Sequence, residues 1–200
     1  MNQPAEIVAH PLDHARWPDL LALFAARGCS FANSCWCMGY RQRGEPPVPA
    51  GSTLAEVKRE QLRALLGRNV APGLIAYRDA QPVGWVAVGP REDFARVQKS
   101  AVMAPVDAMP AWCVVCFVVP SAYRHQGVAH ALLKSAIAYA KLHGAAAIEG
   151  FPIDKSKRSA DGFMWHGACS MFEQAGFVEI ARRKPERPIM RLLLTADRHG

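Results

Sequence analysis

The chain has 200 residues, half of them apolar and a fifth charged, which is enough for a packed core and excludes a disordered tail. Lys and Arg number 24 against 17 Asp and Glu, and this formal charge of +7 favours an anionic partner: nucleic acid, an acidic surface or a phosphate-bearing small molecule. The longest apolar run, residues 111–119, is far short of the roughly 18 residues of a membrane helix, so no membrane partner is expected.

Residues 6–10 read as a short opening strand. Pro11, Leu12 and Asp13 then start a helix that carries Trp17, Leu20, Leu21 and Phe24 at helical spacing. Residues 28–51 are rich in Gly, Pro, Cys and aromatics, hold no period, and read as a long irregular segment of the kind that carries function. Ser52 or Thr53 caps a second helix with Leu54, Val57, Leu62, Leu65 and Leu66 on its apolar face. From Gly73 the period shortens: residues 74–77 and 82–88 form a hairpin about residues 78–81. After a poorly patterned stretch, 90–110, comes a continuously apolar central strand at 112–119. The strongest helix spans 127–142, with Leu132, Leu133, Ala136 and Ala140 on one side and Gly144 at its end. A strand at 145–153, a short helix at 167–174 and two strands at 177–182 and 189–194 complete one α/β domain with a mixed sheet.

The opening MNQPAEIVAH lacks a basic stretch followed by an apolar one, so the expectation is a soluble, cytoplasmic protein without a secretory leader. Six cysteines are too sparse for a disulfide scaffold. Cys113 and Cys116 lie three apart in a strand and should face opposite sides, while Cys35 and Cys37, with Cys29 nearby, lack a second pair at zinc-finger spacing. No metal is expected; the thiols are read as buried or pocket-lining.

One motif carries chemistry. Val119 to Ala129, VPSAYRHQGVA, joins the central strand to the strongest helix. A Gly-bearing turn at a helix N-terminus offers free backbone N–H groups at the positive end of the helix dipole, which suits a pyrophosphate. Gly127 allows close approach, Ala129 keeps the first turn small, and Arg124 adds a cation. Neither the P-loop nor the dinucleotide-binding glycine pattern is present.

R-x-x-G-x-A after an apolar strand resembles the acetyl-CoA-binding signature of the GNAT N-acetyltransferases. The strand Ala146-Ala147-Ile148-Glu149-Gly150-Phe151 follows as that family requires. Residues 168–177, ACSMFEQAGF, look like its last helix, closed by a Gly-Phe pair. The resemblance runs from about residue 7 to 194 and implies a single domain over 1–200 of the acyl-CoA N-acyltransferase fold: a mixed sheet whose fourth and fifth strands splay apart, flanked by helices.

It also implies an activity, transfer of acetyl from acetyl-CoA to a primary amine of a small molecule or peptide, by direct attack with both substrates bound. The alternative is a non-catalytic acyl-CoA-binding regulatory domain of the same fold. Pantetheine would run in the splay along the backbone of Phe117, Val118 and Val119, and a backbone N–H near Val118 would polarise the thioester oxygen. Arg124, His125, Gln126, Gly127, Val128 and Ala129 would hold the pyrophosphate. Lys155, Lys157 and Arg158 are read either as contacts to the adenosine end or as solvated loop charges. A homodimer is compatible with the family, and no interface is specified by the sequence.

Many relatives carry a Tyr four residues before the Gly of the Gly-Phe pair, which protonates the leaving thiolate; here it is Phe172. Cys169 or Ser170, or His166 just before the helix, would substitute, or the thiolate departs unassisted. Glu149, mid-strand beside the splay, is the candidate base, against the alternative of a salt bridge to a neighbouring element. Cys116 reads as a core thiol. Phe31, Cys35, Trp36 and Cys37, with Met38 and Tyr40, would wall the acceptor site, or Trp36 and Met38 simply plug the core. Nucleic-acid binding through Arg182, Arg183, Lys184, Arg187 and Arg191 is not expected, since strands occupy much of that stretch and no recognition helix accompanies it.

Overall fold

The computed structural model describes residues 6–154 and 165–194. Seven strands form one sheet: β1 (Val8–Pro11), β2 (Gly73–Arg78), β3 (Gln81–Pro90), β4 (Trp112–Val118), β5 (Ala147–Gly150), β6 (Val178–Lys184) and β7 (Arg187–Leu193). Their order is β1-β2-β3-β4-β5-β7-β6, and every neighbouring pair is antiparallel except β4–β5. The helices are α1 (Trp17–Ala25), α2 (Ser30–Cys35), α3 (Leu54–Arg63), α4 (Ala95–Gln98), α5 (Val128–Leu142) and α6 (Cys169–Gln174). This is the α/β arrangement expected from the sequence.

The alternating apolar residues of the strands feed two cores. On one face Leu20, Phe24, Leu62, Val97 and Met103 from α1, α3, α4 and nearby loops pack on Trp85, Ala87 and Val115. Leu132, Leu133, Ala136 and Tyr139 of α5 join Met171 and Phe172 of α6 on the other, over Leu74, Val86 and Val114. Thr53 caps α3 in a full capping box with Glu56.

Several boundaries differ from the sequence reading. The irregular segment 28–51 contains α2, whose six residues are too few to display a helical period, and α4 likewise sits inside 90–110. β5 is four residues rather than nine, because its pairing with β4 stops at Val114↔Gly150. The Cys113–Cys116 expectation is corrected: the register slips between Ala87 and Val88, pairing Ala87 with Cys116 but Val88 with Val114. That bulge turns Cys113 and Cys116 into the same core.

Candidate active site

Helix α5 opens from an unusual turn. His125 and Gly127 both take left-handed backbone, with φ of 58° and 80°, and no side chain caps the helix. A Cβ on Gly127 would meet nothing within 4 Å. No side chain therefore takes up the first N–H groups of α5, at the positive end of a fifteen-residue helix, a place where a helix can hold an anion. The turn is braced from both sides. Arg124 donates from Nη2 to the Gly28 carbonyl (2.8 Å) and from Nε to the Val119 carbonyl (3.2 Å). Arg78 donates to Gln126 Oε1 at 2.6 Å. Arg124 thus positions the turn besides adding charge to it.

This turn faces a cavity of about 520 Å³, lined by residues of the turn and by Phe31, Phe117, Val119, Trp165, Gly167, Ser170 and Met171. Its floor exists because β4 outruns β5. The two strands pair over Trp112–Val114, and β4 then continues alone to Val118. On the edge so freed, the Phe117 N–H donates to the Trp165 carbonyl at 2.6 Å. Backbone alternation puts the Val119 N–H on the same edge.

Beneath the sheet end lies a buried charge network. Glu149, 1% exposed, accepts on Oε1 from Arg191 Nε (2.9 Å) and Nη2 (2.6 Å), with Arg91 Nη2 at 2.7 Å. Arg191 reaches Asp107 with its other edge, at 2.7 and 2.9 Å, and this hydrogen bonding pulls the Asp107 carboxyl down to about 2. A second polar cluster stands behind Trp165. The Trp165 indole N–H donates to Tyr40 Oη at 3.3 Å, and Tyr40 Oη lies 2.8 Å from His166 Nε2. Burial holds the His166 imidazole neutral, down to about 3, and pushes the Tyr40 hydroxyl up to about 12.

A family description, "Acetyltransferase (GNAT) family", matches residues 40–177, about two thirds of the chain. The chain belongs to the acetyltransferase (GNAT) family. It is accordingly an enzyme of the acyltransferase class. A search of the curated proteins returns no match. Among solved structures it is similar to a putative GNAT acetyltransferase from Desulfovibrio desulfuricans, at 17% identity over 95% of this chain and 100% of that one, with a TM-score of 0.53. Similarity to the Drosophila melanogaster polyamine N-acetyltransferase is 13% identity over 94% and 100% of the two chains, with a TM-score of 0.54. A structure of the NatC complex bound to Gag peptide and CoA aligns at 16% identity over 95% and 99%, with a TM-score of 0.51. At such identities these likenesses speak for the GNAT fold alone.

Against this frame the sequence-derived site residues separate. Phe117, Val119, Arg124, His125, Gly127, Val128 and Ala129 converge on the cavity, with Ser170 and Phe31 opposite. Gln126 braces the turn. Val118 points its side chain into the other core and contributes backbone alone. Glu149 lies in the core, where both guanidinium partners meet it at Oε1, the salt bridge weighed from the sequence as the alternative to a base. Cys169 contacts Glu173 and Met190 through Sγ and does not line the cavity; burial and the Glu173 carboxylate raise its thiol to about 11. Trp36 and Cys37 lie in the core. Trp36, 3% exposed, packs on Phe24 and Trp17 at 5.1 and 6.1 Å, and Cys37 Sγ accepts from the Trp85 indole at 3.3 Å. Cys35 is half-buried beside Gly39 and does not reach the cavity. Lys155, Lys157 and Arg158 lie outside the described residues.

Sequence reasoning missed Trp165 and did not name Arg191 as the partner in the salt bridge it weighed for Glu149. The second was findable, since the two face each other across the antiparallel β5–β7 ladder once that register is known. The basic C-terminal stretch is largely spent internally: Arg182 on Glu179 and Asp154, Arg183 on carbonyls of residues 102–105, and Arg191 on Glu149 and Asp107. Among the described residues no group of His, Cys, Asp and Glu is arranged to hold a metal, and no helix is long and apolar enough to cross a membrane.

Proposed function

We propose that this enzyme transfers an acetyl group from acetyl-CoA to a primary amine of a small molecule or peptide, with both bound at once. One observation carries the reading: the N-terminus of α5, which no side chain caps, and the edge of β4 that outruns β5 meet in a single cavity. An extended ligand with a diphosphate at one end and amides along its length fits both. The N–H groups of residues 125–129 would hold the pyrophosphate and the β4 edge the pantetheine amides. Bound there, acetyl-CoA supplies the acetyl group as a thioester.

The protein's part is to hold, orient and polarise. The Val119 N–H, on the free edge of β4, is the donor to the thioester oxygen, because the Phe117 N–H is already given to Trp165. Ser170 is exposed on the cavity wall and hydrogen-bonds the departing sulfur. A thiol of ordinary pKa, near 8.5, leaves without a buried acid, which is consistent with Phe172 where many relatives have Tyr. With Glu149 committed to two arginines, the amine proton passes to water in the open cavity.

The test is a thermal melt with acetyl-CoA. At a hundred times its dissociation constant the ligand should stabilise by about 2.7 kcal/mol, or roughly 5–10 °C for a chain of this size. Ala129→Glu, which places a carboxylate in the anion seat, should abolish the shift. No shift with acetyl-CoA, CoA or longer acyl-CoAs overturns the reading, and a shift without thiol release toward any amine would favour the non-catalytic alternative.

A further inference from the structure

The turn that opens α5 is held from outside the helix. His125 takes left-handed backbone, with a φ of 58°, ahead of Gly127 at 80°. Glycine adopts that conformation freely, whereas a residue with a Cβ is strained in it and keeps it where its surroundings insist. One side of the turn is tied to the loop after α1. Arg124 binds the Gly28 carbonyl, and Ser121 donates to the Arg27 carbonyl from its N–H at 3.0 Å and its hydroxyl at 3.1 Å.

Arg78 ties the other side. It is the last residue of β2, is half-buried, and lies 48 positions from the residue it binds. Its Nη1 donates to Gln126 Oε1 at 2.6 Å and its Nη2 to the Gln126 carbonyl at 3.2 Å. Gln126 Nε2 in turn donates to the Ala122 carbonyl at 2.7 Å, which closes the turn on itself. A planar guanidinium that grips two oxygens of one residue fixes their geometry, here a side chain and the peptide plane leading into Gly127.

Two further facts bear on what this grip does. No carboxylate pairs with Arg78 among the described residues, whereas the buried Arg91 and Arg191 both meet Glu149. Neither Arg78 nor Gln126 lines the cavity, although His125 and Gly127 on either side of Gln126 do. The hydrogen bonds of Arg78 therefore act on the cavity through the turn.

We propose that Arg78 is a positioning residue for the cofactor. By fixing Gln126 it holds the N–H groups of residues 125–129 in the arrangement that takes a pyrophosphate. This role rests on the acetyl-CoA reading, and it adds a residue of β2 that lies outside the strand–turn–helix pattern.

The test is calorimetric binding to the full chain of CoA and of dephospho-CoA, which keeps the pyrophosphate and lacks the 3′-phosphate. Arg78→Gln should weaken both by the same factor, about 5- to 30-fold, the cost of one left-handed residue expressed as affinity. Arg78→Lys, which keeps the charge and loses the fork, should restore only part of it. Gln126→Ala removes the latch from an exposed position, so it tests the role even where Arg78→Gln fails to fold. It should weaken CoA too. The double variant should bind no more than about threefold worse than the weaker single, as changes within one hydrogen-bond network do. In thiol release the variants should raise KM for acetyl-CoA and leave kcat unchanged. Wild-type affinity in Arg78→Gln or Gln126→Ala, full recovery in Arg78→Lys, or a loss seen with CoA and not with dephospho-CoA overturns the role. Additive losses, or a fall in kcat without a rise in KM, do the same. A wild type that binds neither ligand overturns the acetyl-CoA reading and this role together, whereas equal binding by wild type and variants overturns the role alone.

Discussion

Neutralising Glu149 separates a buried counter-ion from a catalytic base. In Glu149→Gln the shape is kept and the charge is lost. Arg191 and Arg91, 7% and 6% exposed, are then left facing an amide, with Asp107 still paired to Arg191. Breaking a buried ion pair from one side costs about 3–5 kcal/mol, because the abandoned charge stays desolvated. With a urea m-value of about 3 kcal/mol/M for a chain of this size, the unfolding midpoint should fall by about 1–1.5 M. Arg191→Gln should be destabilising too, and the double variant should cost about 1–3 kcal/mol less than the two singles together. Equilibrium urea unfolding followed by tryptophan fluorescence provides all three numbers. A midpoint within about 0.3 M of wild type, with thiol release abolished and the acetyl-CoA shift retained, would refute the reasoning and return Glu149 to the role of base.

Three further outcomes follow from the geometry. Phe172→Tyr would place a hydroxyl among Phe117, Phe177 and Gly150, where a Cβ on Gly150 would already fall 2.1 Å from the Phe172 ring. It should lower stability by about 1–3 kcal/mol in a thermal melt and bring no gain in kcat. Trp36→Ala should cost about 3–5 kcal/mol by urea unfolding, as a core truncation does, whereas a residue that merely walls the acceptor site would raise KM and leave the midpoint alone. His166 takes up its proton near pH 3 in the folded chain and near 6.5 in the unfolded one. Its contribution to stability is therefore complete above about pH 6.5 and is lost on acidification toward 3, at up to about 1.4 kcal/mol per pH unit. Urea midpoints taken from pH 7 to 4 should flatten by that slope in His166→Gln.

The strand β4, the turn 124–129 and the helix α5 were legible in the sequence because their determinants are local. An unbroken apolar run, a glycine at the left-handed position and a 3.6-residue period need no partner to declare themselves. The uncapped start of α5 was readable for the same reason, since backbone N–H groups at a helix start follow from the chain path and not from side-chain contacts. What the tertiary structure alone decided was which polar side chains are spent and which are free. Glu149 and Arg191 lie 42 positions apart, and Tyr40 and His166 lie 126 apart. No local pattern reports that the first pair meets in the core or that the second meets behind Trp165. The β4 bulge has the same character: one extra residue, set by the register with β3, turns Cys116 toward Cys37. Local order follows from propensity and period, whereas the commitment of a charge depends on what the fold brings within about 3 Å of it.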